Sequence, residues 1–166
     1  MLWTEKYRPN KLSEIIGQEH FTMDAKGWIE EKNMPNVLLY GNPGNGKTTA
    51  GIVLAKELLG DNFKDNYVEV NASDDRRLET VRTMIKNVAQ SGTIGDVPFR
   101  MMLLDEMDGM TTDAQNALKR IMERYSSNIR FIITCNDRNK IIFALQSRCA
   151  NYHFKPLSNE ALLEVI

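Results

Sequence analysis

The sequence has little of what would mark a secreted, metal-binding or membrane-spanning protein. Only two of its 166 residues are cysteine, Cys135 and Cys149. They lie far apart and form no CxxC pair, so they supply no disulfide framework and fit a reducing, intracellular compartment. His20 and His153 are the only histidines, at a spacing that gives no basis for a His-based metal site. No apolar run approaches the roughly 20 residues needed to span a bilayer. The N-terminal stretch, Met1 to Pro9, lacks the apolar core of a signal peptide. An excess of one charge is missing too: 21 basic against 22 acidic residues leave a net charge of -1. Bulk charge therefore argues for neither nucleic acid nor membrane, and any such site must be local. What is present, 42% hydrophobic and 26% charged residues, is the composition of a globular chain long enough for one domain and a fragment of a second.

Short strand-like runs alternate with amphipathic helical stretches, which predicts an α/β domain with a parallel sheet. The strands are expected at 36–40, 67–70, 99–104, 130–134 and 151–154. Those at 37–40, 101–104 and 131–133 are almost continuously apolar, as strands covered on both faces are. Helices are expected near 18–32, 47–59, 77–90, 112–125 and 138–146. In the fourth, Ala114, Ala117, Leu118, Ile121, Met122 and Tyr125 share one face behind a Thr111-Thr112 cap. The stretch 91–98, with two glycines and Pro98, reads as a connection before the third strand.

The strongest signal is Gly41-Asn-Pro-Gly-Asn-Gly-Lys47-Thr48, a match to G-x-x-x-x-G-K-[ST] that follows a strand and opens a helix. Gly41, Gly44 and Gly46 allow backbone N–H groups to turn inward around phosphate oxygens. The helix from Lys47 aims its positive end at the anion. The Lys47 ammonium can reach β- and γ-phosphates, and the Thr48 hydroxyl can ligate Mg²⁺. Asn42, Pro43, Gly44, Asn45, Gly46, Lys47, Thr48 and Thr49 are thus the expected phosphate-binding stretch. The competing account is a glycine-rich turn that merely closes a strand-helix corner.

Some sixty residues on, an apolar strand ends in Asp105-Glu106. After a phosphate loop, the first acid is expected to hold the Mg²⁺ shell and the second to activate water against a γ-phosphate. A small-molecule kinase has no need of that second acid, so Glu106 tilts the reading toward hydrolysis. Asn136 ends the next strand and can position the attacking water or start a turn. Asn71 ends the second strand and can either bond Glu106 or cap the following helix.

Taken in order, Tyr7-Arg8-Pro9, Ile15-Ile16-Gly17-Gln18, the phosphate loop, Asn71-Ala-Ser-Asp-Asp75, Asp105-Glu106 and Gln146-Ser147-Arg148-Cys149 resemble the small subunits of replication factor C. These are clamp loaders of archaea and eukaryotes within the AAA+ ATPases, and the resemblance covers nearly the whole chain. It implies a three-layer P-loop domain with a five-stranded parallel sheet flanked by helices. It implies an ATPase using ATP and Mg²⁺, with Lys47, Thr48, Asp105, Glu106 and Asn136 acting in cis. Arg148 is expected to be the arginine finger that completes a neighbour's site, rather than a partner in a surface salt bridge. Tyr7, Arg8, Pro9, Ile16 and Gly17 are expected to contact adenine. The implied partners are other loader subunits in a hetero-pentamer, a sliding clamp and primer-template DNA.

The helix at 77–90 carries the DNA expectation. Arg76, Arg77, Arg82 and Lys86 face only Glu79, a local charge of +3 that can follow a phosphate backbone. A solvated face with a Glu79–Arg82 pair is the alternative. Leu78, Val81, Ile85 and Val88 should face the core, and the resemblance makes Gln115 a relay between DNA and the ATP site. The sequence departs from the family at Asn42, Asn45, Arg77, Met107 and Asp137, none of which removes a catalytic group. The resemblance divides the chain into an ATPase domain at 1–156 and the start of a truncated helical lid at 157–166, and implies weak hydrolysis by the isolated domain. The expected location is cytoplasmic for an archaeal or phage protein and nuclear for a eukaryotic one. A subunit that binds ATP without cleaving it, and only lends Arg148 to a neighbour, is the main alternative function.

Overall fold

A computed structural model describes residues 9–72 and 78–156. Five strands form one sheet: β1 (Val37–Tyr40), β2 (Tyr67–Asn71), β3 (Arg100–Asp105), β4 (Ile129–Cys135) and β5 (Ala150–His153). Their spatial order is β2-β3-β4-β1-β5, and all four pairings are parallel. The helices are α1 (Glu19–Glu31), α2 (Lys47–Leu59), the short α3 (Phe63–Asn66), α4 (Leu78–Gln90), α5 (Thr112–Arg124) and α6 (Phe143–Ser147). The three-layer P-loop architecture expected from the sequence is the one observed.

The continuous apolar runs are explained by burial on both faces of the sheet. Leu38, Met102, Leu104, Phe131 and Ile133 pack against Val81 and Ile85 of α4, Leu118 and Met122 of α5 and Leu145 of α6. The alternate residues Val37, Leu39, Met101, Leu103 and Ile132 pack against Phe21 and Ala25 of α1 and Val53, Leu54 and Ala55 of α2. Because side chains alternate across a strand, each apolar strand must satisfy two cores at once. Gly51 lets α2 lie close on this surface, since a Cβ there would sit 2.8 Å from a methyl of Leu103.

Two sequence expectations change. The helix expected at 138–146 is a single 3-10 turn at Arg138–Lys140 followed by the short α6. Ile142 is extended between them (φ -60, ψ 144), and the Gln115 side chain substitutes for the missing helical partners. The other change is α3, which no periodicity in the sequence marked. The Thr111 cap is as expected, accepting a hydrogen bond from Ala114 N. Val81, Ile85 and Val88 face the core as expected, whereas the Leu78 side chain and residues 157–166 lie outside the described residues.

Gln115 is only 1% exposed. Its Nε2 donates to Met110 O (3.1 Å) and Lys140 O (2.9 Å), and its Oε1 accepts from Ile142 N (2.9 Å). One amide thereby joins the loop after β3 to the segment leading into α6. Gln115→Ala would leave three backbone groups without these partners, and buried unsatisfied groups cost about 1–3 kcal/mol each before relaxation and water. The expected net loss is about 3 kcal/mol, seen in a thermal melt as a fall of roughly 6–12 °C.

Candidate nucleotide site

The C-terminal ends of β1, β3 and β4 converge, and the residues picked out by sequence meet there. β4 lies between the strand that feeds the phosphate loop and the strand that ends in the acids. After β1 the chain turns through Gly41 (φ 150), Gly44 (φ 83) and Gly46 (φ 85), and Gly46 directly precedes α2. The positive φ values are those that side chains other than glycine rarely adopt, and they bend the loop around the helix N-terminus. Lys47 is 7% exposed, and its Nζ donates to Gly41 O (2.7 Å) and Asn42 O (2.9 Å). Burial pulls its pKa below the ordinary lysine range, opposed by Cys135, Asp105 and Asp108. The ammonium thus rests on neutral carbonyl oxygens, and a formal anion would form stronger, charge-assisted bonds with it.

Asp105 joins the elements. Its Oδ1 accepts from Thr48 Oγ1 (2.8 Å) and also from Thr134 Oγ1. Thr134 in turn accepts from the backbone N of Glu106 (3.1 Å). Thr134 was not singled out from sequence, because a threonine inside an apolar strand reads as β-propensity. Its 2% exposure and two polar partners reveal it as the pin between the acid strand and its neighbour. Glu106 itself is left-handed (φ 56, ψ 48), one of two described non-glycine residues with positive φ. Such backbone costs of order 1–3 kcal/mol and persists where its surroundings impose it, often at functional sites. Asn71 pairs with Asp105 in the register of β2 and β3, the last pair before the chain leaves the sheet at Glu106.

Asn136 follows β4 at the same edge. Its backbone N, like that of Asp137, donates to Asp108 Oδ2 (3.2 and 3.3 Å). Asp108 therefore ties the Asn136 loop to the loop after the acid pair. Asn45 Nδ2 donates to Phe154 O (3.0 Å), and buried Gln18 clasps Lys155 with Nε2 on its O (2.8 Å) and Oε1 on its N (3.3 Å). These bonds bring Ile16 and Gly17 (φ 81) to the same strand exit as the phosphate loop. Pro9 is partly buried, while Tyr7 and Arg8 lie outside the described residues.

Arg148 is not brought to this site. It follows α6, with Nη1 donating to Ala144 O (3.0 Å) and Nε paired with Glu123 at the end of α5. β5 begins opposite Val37 and ends opposite Tyr40. Arg148 therefore precedes the start of β5, whereas the phosphate loop follows the end of β1, about 13 Å away along strands that rise ~3.3 Å per residue. On α4, Arg82 pairs with Glu79 at 3.2 Å across an exposed helix turn, and Lys86 is exposed. Arg76 and Arg77 lie outside the described residues. Among the described residues no helix is long and apolar enough to cross a membrane.

The chain is similar to known proteins both in sequence and in fold. The chain is 49% identical over 162 residues to the replication factor C small subunit of Methanococcus maripaludis, covering 98% of this chain and 51% of that protein. It is 48% identical over 161 residues to the one from Archaeoglobus fulgidus, covering 97% and 50% of the two chains. The chain thus spans about half the length of the curated relatives it matches. In fold it resembles the Holliday junction branch migration motor RuvB of Thermotoga maritima, with a TM-score of 0.74, 20% identity, and coverage of 96% of this chain and 52% of that one. The model of the ATPase family associated with various cellular activities matches residues 37–157. The chain belongs to that family, the AAA ATPases.

Proposed function

We propose that this chain is the ATPase domain of a clamp-loader small subunit, with residues 1–156 as the ATPase unit and 157–166 beginning a helical lid. In this reading it binds ATP at 41–49 and hydrolyses it when assembled with neighbours. The cycle places a ring-shaped sliding clamp on primer-template DNA, ATP binding favouring the gripping assembly and hydrolysis releasing it. The observation that carries the reading is the separation of the two halves of the catalytic machinery. Lys47, Thr48, Asp105, Glu106 and Asn136 share one edge of the sheet, while Arg148 is fastened at the other end of β5. An arginine held there cannot serve its own phosphate loop, but it can enter that of an adjacent protomer, making hydrolysis conditional on assembly.

The residues fit a Mg²⁺–nucleotide. Thr48 Oγ1 and Asp105 Oδ1 face each other within 2.8 Å, and hard oxygen donors of this kind, completed by phosphate and water, suit Mg²⁺. Thr48 and Asp105 would hold the metal, which would supply charge neutralisation at the phosphates. Lys47 exchanges its two carbonyl acceptors for phosphate oxygens. Asn136 and Glu106 orient and deprotonate water, and the neighbour's arginine neutralises charge that develops on the transferred group. Such fingers are worth ~10³–10⁵ in rate in other systems. Ile16, Gly17, Pro9, Tyr7 and Arg8 would form the adenine slot. Arg76, Arg77, Arg82 and Lys86 would track the DNA backbone, which salt titration of DNA binding by their alanine variants would test.

Glu106→Gln in the full assembly is the deciding experiment. The expected result is ATP bound with near-normal affinity and hydrolysis slowed at least ~100-fold. If wild-type assembly already holds ATP without cleaving it, the chain is instead a non-hydrolysing subunit that supplies Arg148.

A further inference from the structure

At 80% exposure, Phe143 is the most exposed of the large apolar side chains among the described residues. A single apolar side chain on a surface is ordinary; its neighbours are not. Phe143 opens α6, and α6 is a rigid element despite its length. Leu145 is buried in the core, and Ile142 N is held by Gln115. Gln146 Nε2 donates to Ile141 O (2.8 Å) and Arg138 O (3.0 Å), and Asn151 Nδ2 donates to Gln146 O (2.7 Å). The backbone that carries the ring is therefore fixed from three sides.

Arg148 folds back over the same helix. Its Nη1 bonds the carbonyl of Ala144, the residue after Phe143, whose Cα lies about 3.8 Å from the next. Glu123 holds the other part of the guanidinium. The guanidinium is thus tied to the backbone of the residue that follows Phe143, so a surface that receives Arg148 comes up against the helix that carries the exposed ring. Aromatic and arginine side chains on a fixed backbone are the usual anchors of protein interfaces, and apolar cover around a charge pair excludes water from it. The receiving surface is complementary in charge, because a nucleotide-filled site edged by Asp105, Glu106 and Asp108 is strongly acidic.

Resting on the proposed function above, we infer that Phe143 is the apolar anchor that docks α6 on the neighbouring AAA protomer and seats Arg148 in its nucleotide site. The contact is heterologous: this chain offers α6 on one side and its phosphate loop on the other, which builds arcs or rings rather than closed pairs.

The test is ATP hydrolysis by the full-length assembly as subunit concentration is raised, for wild type, Phe143→Ala, Phe143→Glu, Phe143→Leu and Arg148→Ala. Phe143→Ala and Phe143→Glu should raise the half-maximal concentration ~10- to 100-fold, the scale of a lost buried aromatic. Their rate at saturation should approach wild type, ATP affinity of the unassembled chain should not move, and Phe143→Leu should restore most of the assembly. Arg148→Ala should do the reverse, losing the saturating rate with little change in midpoint. Phe143→Ala and Phe143→Glu assembling at the wild-type concentration would overturn the inference, as would normal assembly with loss of clamp or DNA binding alone. A full saturating rate in Arg148→Ala would instead overturn the trans-acting arginine and leave the anchor to be judged by the midpoints.

Discussion

Lys47→Met should weaken ATP binding by ~100-fold or more, about 3 kcal/mol, with a far smaller effect on folding. The asymmetry follows from what the ammonium does in each state. Without a ligand it bonds the carbonyls of Gly41 and Asn42 from a largely desolvated position, so its bonds and its burial nearly offset each other. Against a polyphosphate it gains charge-assisted bonds to a formal anion, which are roughly twice as strong. A thermal melt should therefore move by only a few degrees while titration calorimetry loses its signal. The same experiment has a proton signature. Burial holds the Lys47 pKa below the ordinary lysine value, and a neighbouring anion favours the charged form and raises it. Between those two values, binding must take up protons. Calorimetry on the alkaline side, in buffers of different ionisation enthalpy, should show this uptake in wild type and lose that contribution in a Lys47→Arg variant.

Gly41→Ala should damage folding and binding together. At φ 150 the residue lies where side chains are strained, and an added Cβ would stand 2.2 Å from the carbonyl oxygen of Phe154. That oxygen is backbone at the exit of β5 and already accepts from Asn45, and Phe154 N donates to Tyr40 O (2.7 Å). Relief requires β5 to part from β1 or the loop to open. A loss of about 3–5 kcal/mol is expected, comparable to the severest point substitutions, with ATP affinity falling in parallel. Denaturant unfolding measures the first. A Gly41→Ala protein as stable as wild type would mean that the loop and strand exit separate at little cost.

The elements legible in the sequence were those whose signal is periodic or stereochemical. Apolar continuity at 101–104 and 131–133 marked strands buried on both faces, and the glycine spacing at 41–46 marked a phosphate loop. Less legible were features that depend on partners distant in the chain. Gln115 was marked only by the resemblance, as a relay, and nothing in the sequence showed that the break at Ile141–Ile142 makes it a buried three-way bond. Thr134 was hidden because its hydroxyl matters only where β4 lies beside β3. For Arg148, a finger and a surface salt bridge were competing readings, and the structure shows a pair with Glu123 at the far end of β5. The ion pair is a property of the single chain and leaves the trans role to the assembled one. Arg82 is different: its pair with Glu79 matches the solvated-face alternative and adds nothing of its own to the DNA reading.

Phe154 and Lys155 are stitched from two directions, by Asn45 of the phosphate loop and by Gln18 ahead of α1. A seam of that kind leaves little slack. A loop that shifted on an anion would have to break the Asn45 bond to the Phe154 carbonyl or carry that carbonyl with it, against the clasp of Gln18 on Lys155. The exit of β5 is therefore held to the phosphate loop and to the segment ahead of α1 at once, with two side-chain amides as the linkage.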